Sequence, residues 1–169
     1  MPYEIERKFL VDSAKWQEIL DNKNLYKSLV QNKKEILQGY ISLDKERTGR
    51  IRLTDDSGFI AVKGKTIGAK RLEFEYPIPT IEAKEILYKI CERPLIEKTR
   101  YYLKQDKMIW TIDDFFGQNS GLMIAEIELP TEDTLFALPE WIGEEVTDDP
   151  RYFNSNLVKN PFSTWKNSK

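Results

Sequence analysis

Seven stretches of the chain set charged side chains on an every-second-residue pattern: Glu4, Glu6 and Lys8; Arg50 and Arg52; Lys63; Arg71, Glu73 and Glu75; Lys98 and Arg100; Asp113; and Glu126 and Glu128. That spacing puts side chains on one face of a β-strand, with apolar neighbours on the other. Charges of one sign cluster within strands, and neighbours such as Arg50 and Arg52 repel, a penalty that Ser or Thr would spare a solvated sheet. Arg and Lys are the residues that hold phosphate oxygens. Glu and Asp oxygens suit hard divalent ions, Mg²⁺ or Mn²⁺. The set holds seven cations and seven anions. If the charged faces converge, the ligand that satisfies both signs is a polyanion carrying a divalent cation. Buried charges without such a ligand need water or internal pairing. The alternative is an ordinary half-buried sheet with its charges in water. Alternation alone leaves both arrangements open.

The elements that carry these residues read as strands over Tyr3–Val11, Ile36–Leu43, Gly49–Thr54, Gly58–Lys65, Lys70–Ile78, Leu95–Lys104, Met108–Phe115 and Leu122–Leu129. Turn signals separate them at Asp55–Gly58, Thr66–Gly68 and Gly117–Gly121. Helical spacing is found over Ser13–Leu20, Thr80–Glu92 with Thr80 as N-cap, Thr131–Leu138 and Asn154–Lys159. Eight strands against three or four helices give an α+β fold dominated by an antiparallel sheet. Eight strands are also enough to close a β-barrel. The length of 169 residues predicts one domain over 1–169.

Composition removes several function classes. No His is present, which excludes His-based acid–base catalysis and His-ligated metals. The single residue Cys91 excludes an internal disulfide and a Cys cluster, and reads as a small core residue. Lys plus Arg number 26 and Asp plus Glu 28, a net charge of −2, which argues against nucleic acid as a partner. No apolar run reaches the ~18 residues of a membrane span, and the start carries no apolar signal core. The expected compartment is the cytoplasm. Trp16, Trp110, Trp141 and Trp165 read as packing residues, and Tyr101-Tyr102 as sheet wall. Exposed aromatics leave a homodimer open.

The order of the motifs resembles a known family. EIERKFLV carries an E-x-E-x-K pattern as Glu4, Glu6 and Lys8. It is followed by QGYIS (38–42), RIRL (50–53), AVKGK (61–65), RLEFEYPI (71–78), EKTRYYL (97–103), IDDF (112–115), AEIEL (125–129) and the tail GEEVTDDPRYFNSNL (143–157). The series is similar to the CYTH proteins, the triphosphate tunnel metalloenzymes, and most to their short, single-domain bacterial members. The resemblance implies an eight-stranded antiparallel barrel forming a tunnel, with the charged faces inward. It also implies metal-dependent chemistry at a triphosphate.

Carried over by position, the resemblance gives Arg50, Arg52, Lys63, Lys98 and Arg100 to the substrate, with Lys8 near the reacting phosphorus. Glu4, Glu6, Glu126 and Glu128 would hold metal, with Asp113 in support. Glu73 and Glu75 would either pair with the tunnel cations or join the metal shell. Tyr40 matches a position assigned as proton acceptor in some short members. A phenol titrates near pH 10, so a carboxylate is the better base. Lys65 is the alternative to Lys63 if that strand is shifted by two, and Arg71, at the start of its strand, is the least secure of the cations, facing either the lumen or solvent. The tail reads either as a solvated loop or as a segment packed at a tunnel mouth. The leading activity is hydrolysis of inorganic triphosphate. Its alternatives are a class IV adenylate cyclase, a nucleoside or thiamine triphosphatase, and a polyphosphate- or nucleotide-binding module without turnover.

Overall fold

The computed structural model describes residues 3–165. Met1, Pro2 and residues 166–169, the ends of the expected 1–169 domain, lie outside the described residues. The chain runs β1 (Tyr3–Val11), α1 (Ser13–Asp21), α2 (Lys23–Leu29), β2 (Val30–Asp44), β3 (Arg47–Leu53), β4 (Gly58–Lys63), β5 (Lys70–Ile78), α3 (Thr80–Lys89), β6 (Ile96–Gln105), β7 (Met108–Phe115), β8 (Met123–Glu128), β9 (Ile142–Glu145) and α4 (Asn154–Lys159). Eight antiparallel strands follow one another as β5-β4-β3-β2-β6-β7-β8-β1, and β1 pairs back onto β5, closing a ring. The closure uses Tyr3, Glu4 and Ile5 opposite Leu72, Arg71 and Lys70. Further along the same strand, Phe9 and Val11 pair with β9 instead.

The apolar faces of the strands point away from the ring axis and are covered by helices. Phe9, Trp110, Ile112, Ala125 and Ile127 pack with Trp16 and Ile19 of α1. Aromatic edges meet there, with Phe9 and Trp110 ring centroids 5.6 Å apart. On the opposite wall Ile51 packs under Ala83 and Leu87 of α3, with Cys91 alongside. Gly58 lets α3 approach β4 closely: a Cβ there would lie 2.8 Å from the Ala83 Cβ and 3.0 Å from the Ile78 carbonyl oxygen. Gly58→Ala is therefore expected to destabilise the fold by about 1–3 kcal/mol through overpacking, read as a lower urea midpoint at unchanged slope. A midpoint equal to wild type would mean that α3 gives way freely.

The third apolar cluster lies inside the ring. Leu10, Ile96, Phe115, Leu122 and Ile124 continue the inward face past the charged residues, and with Tyr40 they pack against Tyr152, Leu157 and Val158 of the tail. The C-terminal segment thus fills one end of the ring, so the lumen is a cup. This is the packed outcome for the Gly143–Leu157 tail, which also supplies β9.

Several sequence-based boundaries shift. Thr131–Leu138 is not helical: Thr131 Oγ1 and its backbone N–H both engage Thr134 Oγ1, a local side-chain turn that competes with helix. The segment instead inserts Phe136 beside Phe9 and Trp110. β2 begins six residues before expectation because the polar run Gln31–Glu35 pairs with β6, where Lys33 and Lys34 lie over Tyr101 and Tyr102. α2 is an added helix, capped by the Asn22 side chain on the Leu25 N–H at 3.1 Å. Asp12 caps α1, its side chain accepting from the Lys15 N–H, and α3 begins at Thr80 without the side-chain cap expected of that residue.

Candidate active site

Residues opposite one another in an antiparallel ladder share a face, so the register traces the lumen wall strand by strand. Glu6 faces Glu128, and Lys8 faces Glu126. Glu126 faces Thr111, and Arg100 faces Asp113. Gln38 faces Arg52, and Tyr40 faces Arg50. Thr48 faces Lys63, and Lys63 in turn faces Glu73. Ala61 faces Glu75, and Glu4 faces Arg71. The charged faces therefore converge inward, resolving the choice that alternation had left open. They line a cavity of about 580 Å³.

Most lumen cations are neutralised by lumen carboxylates. Lys8 Nζ lies 3.1 Å from Glu6 Oε1 and also donates to Glu126. Burial works against the Lys8 ammonium, but Glu126 and Glu6 outweigh it and hold its pKa above the ordinary lysine value. Lys63 Nζ donates to Glu4 at 3.0 Å and lies 3.4 Å from Glu73. Arg50 sits 3.1 Å from Glu75 and 3.6 Å from Glu73. Glu73 and Glu75 thus stand in the pairing arrangement.

Asp113 is placed with the cations and away from the other carboxylates. It is 1% exposed, receives Arg100 through two bonds at 2.6 and 2.8 Å, and lies 2.8 Å from Lys98. It does not line the cavity; it sits one step deeper, opposite Ile124. Burial raises its pKa, but Arg100 and Lys98 overcome this and hold the carboxyl well below the usual range. The metal-supporting role expected of Asp113 finds no open oxygen in this arrangement. One carboxylate shared between two buried cations leaves Lys98 short of charge. Burial, aided by Arg100 and Arg52 and opposed by Asp113, brings the Lys98 pKa down to about 7.

Among the described residues, three cavity cations have no carboxylate partner: Arg52, Arg71 and, in an exposed turn, Lys107. Arg52 Nε has only Gln38 Oε1, at 3.4 Å. Burial first, then Arg50 and Arg100, lower its pKa to about 10. Arg71 donates to the Gly64 carbonyl and to Thr48 Oγ1, each at 2.6 Å. It lines the cavity, the inward of the two placements left open for it. Lys65 lies outside the strand with a side chain 66% exposed, so Lys63 is the lumen lysine. Tyr40 is 4% exposed, and burial raises its phenol pKa despite Arg50, Arg52 and Lys8 nearby. It stays protonated at neutral pH and is a weak proton acceptor.

At the acidic end, Glu128 makes no ion pair among the described residues. Burial first, then the charges of Glu4, Glu6 and Glu73, raise its pKa. Carboxylates facing each other across a ladder, as Glu6 and Glu128 do, repel unless a cation lies between them. The donor set therefore fits a hard divalent ion. No three carboxylates converge on one point among the described residues, because Glu6 and Glu126 are turned to Lys8, and Glu4 to Lys63.

A model of the CYTH domain matches residues 2–157. The chain belongs to the CYTH family. It is 49% identical over 168 residues to an inorganic triphosphatase of Acetivibrio thermocellus, covering 98% of this chain and 99% of that one. An inorganic triphosphatase of Nitrosomonas europaea is 34% identical over 159 residues, with 92% and 96% covered. A solved inorganic triphosphatase structure superposes with a TM-score of 0.62 at 32% identity, covering 92% of this chain and 93% of that one. Membership accounts for the inward charge, since the ring and its two-signed lumen are what the family resemblance implied.

Gln38, Thr48 and Asn154 also line the cavity and were not singled out from sequence, and Tyr102, read there only as sheet wall, lines it too. Gln38 and Thr48 share the every-second-residue pattern of Tyr40 and Arg50, so counting back along each strand finds them. Asn154 has no such signal, because a helix end brings it to the lumen.

Proposed function

We propose that the chain hydrolyses inorganic triphosphate in the cup. The observation that carries this reading is the pair Arg52 and Arg71, cavity guanidinium groups without carboxylate partners and so available to phosphate. The curated relatives at 49% and 34% identity, both inorganic triphosphatases, support it.

In this reading Arg50, Arg52, Lys63, Lys98, Arg100 and Arg71 receive phosphate oxygens, and Lys8 lies at the reacting phosphorus. Glu4, Glu6, Glu126 and Glu128 would hold Mg²⁺ or Mn²⁺, which when bound supplies positive charge to the phosphates and acidifies water. Phosphoryl transfer needs mainly positioning and charge stabilisation, and the lumen residues supply both. Water adds to a terminal phosphorus, the phosphoanhydride bond breaks, and orthophosphate and pyrophosphate leave. A lumen carboxylate takes the proton of the water, since Tyr40 remains a phenol. Asp113 keeps Lys98 and Arg100 oriented. A single domain and a cytoplasmic location, without nucleic-acid or membrane partners, belong to the same proposal. No helix among the described residues is long and apolar enough to cross a membrane.

Tyr102, Met108 and Ile109 line the same cavity, the one feature that favours an organic triphosphate as a second reading. The deciding experiment offers purified protein triphosphate, ATP, thiamine triphosphate and pyrophosphate with Mg²⁺ or Mn²⁺. Fastest phosphate release from triphosphate is expected. Cyclic AMP from ATP would make it a cyclase, and no turnover at all would leave a binding module.

A further inference from the structure

The floor of the cup is built by the tail, and one polar side chain there is tied to the phosphate-facing cations. Asn154, the first residue of α4, accepts through Oδ1 from Gln38 Nε2 at 2.8 Å and from Lys98 Nζ at 2.9 Å. Both donors are deeply buried, Gln38 at 0% and Lys98 at 1% exposure. Gln38 turns its own oxygen to Arg52. Asn154 Oδ1 therefore sits at the junction of two lumen cations, holding Lys98 directly and Arg52 through Gln38.

Gln38 commits its oxygen to Arg52 and so turns its NH2 to Asn154, and Lys98 in its charged form has no acceptor, so the amide oxygen of Asn154 faces both. That fixes the flip of the side chain and leaves Nδ2 on its other side. Nδ2 has no protein partner among the described residues and is not a buried orphan, and Asn154 lines the cavity. A neutral donor pair is thus offered at the floor of the cavity, beside the charged donors Lys98 and Arg52.

We infer that Asn154 is a further substrate-binding residue: its Oδ1 positions Lys98 and Gln38 while its Nδ2 donates to a phosphate oxygen at the inner end of the bound polyphosphate. This rests on the triphosphatase reading. It makes the C-terminal segment part of the recognition surface in addition to a plug.

The test is calorimetric binding of triphosphate with Mg²⁺, together with steady-state kinetics. Asn154→Asp keeps an oxygen for Lys98 and Gln38 but replaces the donor with a negative charge facing phosphate. Kd and KM are expected to rise about 100-fold, with kcat within about threefold. Asn154→Ala loses both roles without adding charge, and a rise of about 10-fold is expected. Asn156→Ala is the control: Asn156 Nδ2 holds the Pro150 carbonyl at 2.6 Å and secures the same segment away from the cavity. It is expected to bind within about twofold of wild type. An Asp variant that binds triphosphate as tightly as wild type overturns the inference, as does an Asn156→Ala loss equal to that of Asn154→Asp. If the wild-type chain itself neither binds nor hydrolyses triphosphate, the functional reading fails with it. Wild-type turnover with an unaltered Asp variant fails this inference alone.

Discussion

Glu126→Gln is expected to lower kcat for triphosphate by about 10²–10³-fold, and Glu128→Gln to do the same, but their effects on folding should differ in sign. Glu126 holds Lys8 and lies 3.6 Å from Arg100, so its loss removes charge from two buried cations. Glu128 holds no cation among the described residues and is pressed by the charges of Glu4, Glu6 and Glu73. Its neutralisation relieves repulsion. In metal-free buffer the Glu126→Gln variant should melt lower than wild type and the Glu128→Gln variant equal or higher. Such a split identifies Glu128 as a residue kept for a ligand at some expense of stability. Thermal melts with EDTA, paired with phosphate-release kinetics, read both quantities. Either variant retaining turnover within about threefold of wild type would remove that carboxylate from the metal-holding set.

Much of this site was legible in the sequence, because a strand writes its faces as alternate residues. Glu4, Glu6, Lys8, Arg50 and Arg52 could be assigned to one side of their strands before any fold was known. What alternation lacks is the sign of curvature. An inward and an outward charged face have the same spelling, and only ring closure between β1 and β5, with α1 and α3 on the outer face, decides between them. Arg71 was left between lumen and solvent because its strand position was visible but its partner Thr48, 23 residues away, was not. The depth of Asp113 was hidden for a related reason. Its alternation is that of a lumen residue, yet its depth depends on how far the apolar plug of Ile124, Phe115 and the tail rises inside the ring. The Thr131–Leu138 segment had helical spacing, but the Thr131 and Thr134 side chains close a local turn first.

Asp113→Asn is the variant expected to cost the most stability. The carboxylate is the shared anion of Lys98 and Arg100, and all three groups lie in the deep wall between the cavity and the plug. Removing one member of a buried ionic cluster leaves the others uncompensated and costs about 3–5 kcal/mol. For a chain of this length that lowers Tm by on the order of 10 °C. The pH dependence follows in sign. The native Asp113 pKa lies below the unfolded value, so its contribution is complete above about pH 4 and fades as pH falls toward the native value. The Asn variant should lose that part of the acid dependence, so its Tm deficit narrows in acid. Because Lys98 and Arg100 also line the cavity, a bound polyanion can supply the missing charge. Triphosphate should therefore raise the Tm of Asp113→Asn by more than it raises the wild-type Tm at the same saturation. A variant that melts like wild type at neutral pH would show the cluster to be solvated. A variant that melts low but gains no extra protection from triphosphate would separate Lys98 and Arg100 from the phosphate site.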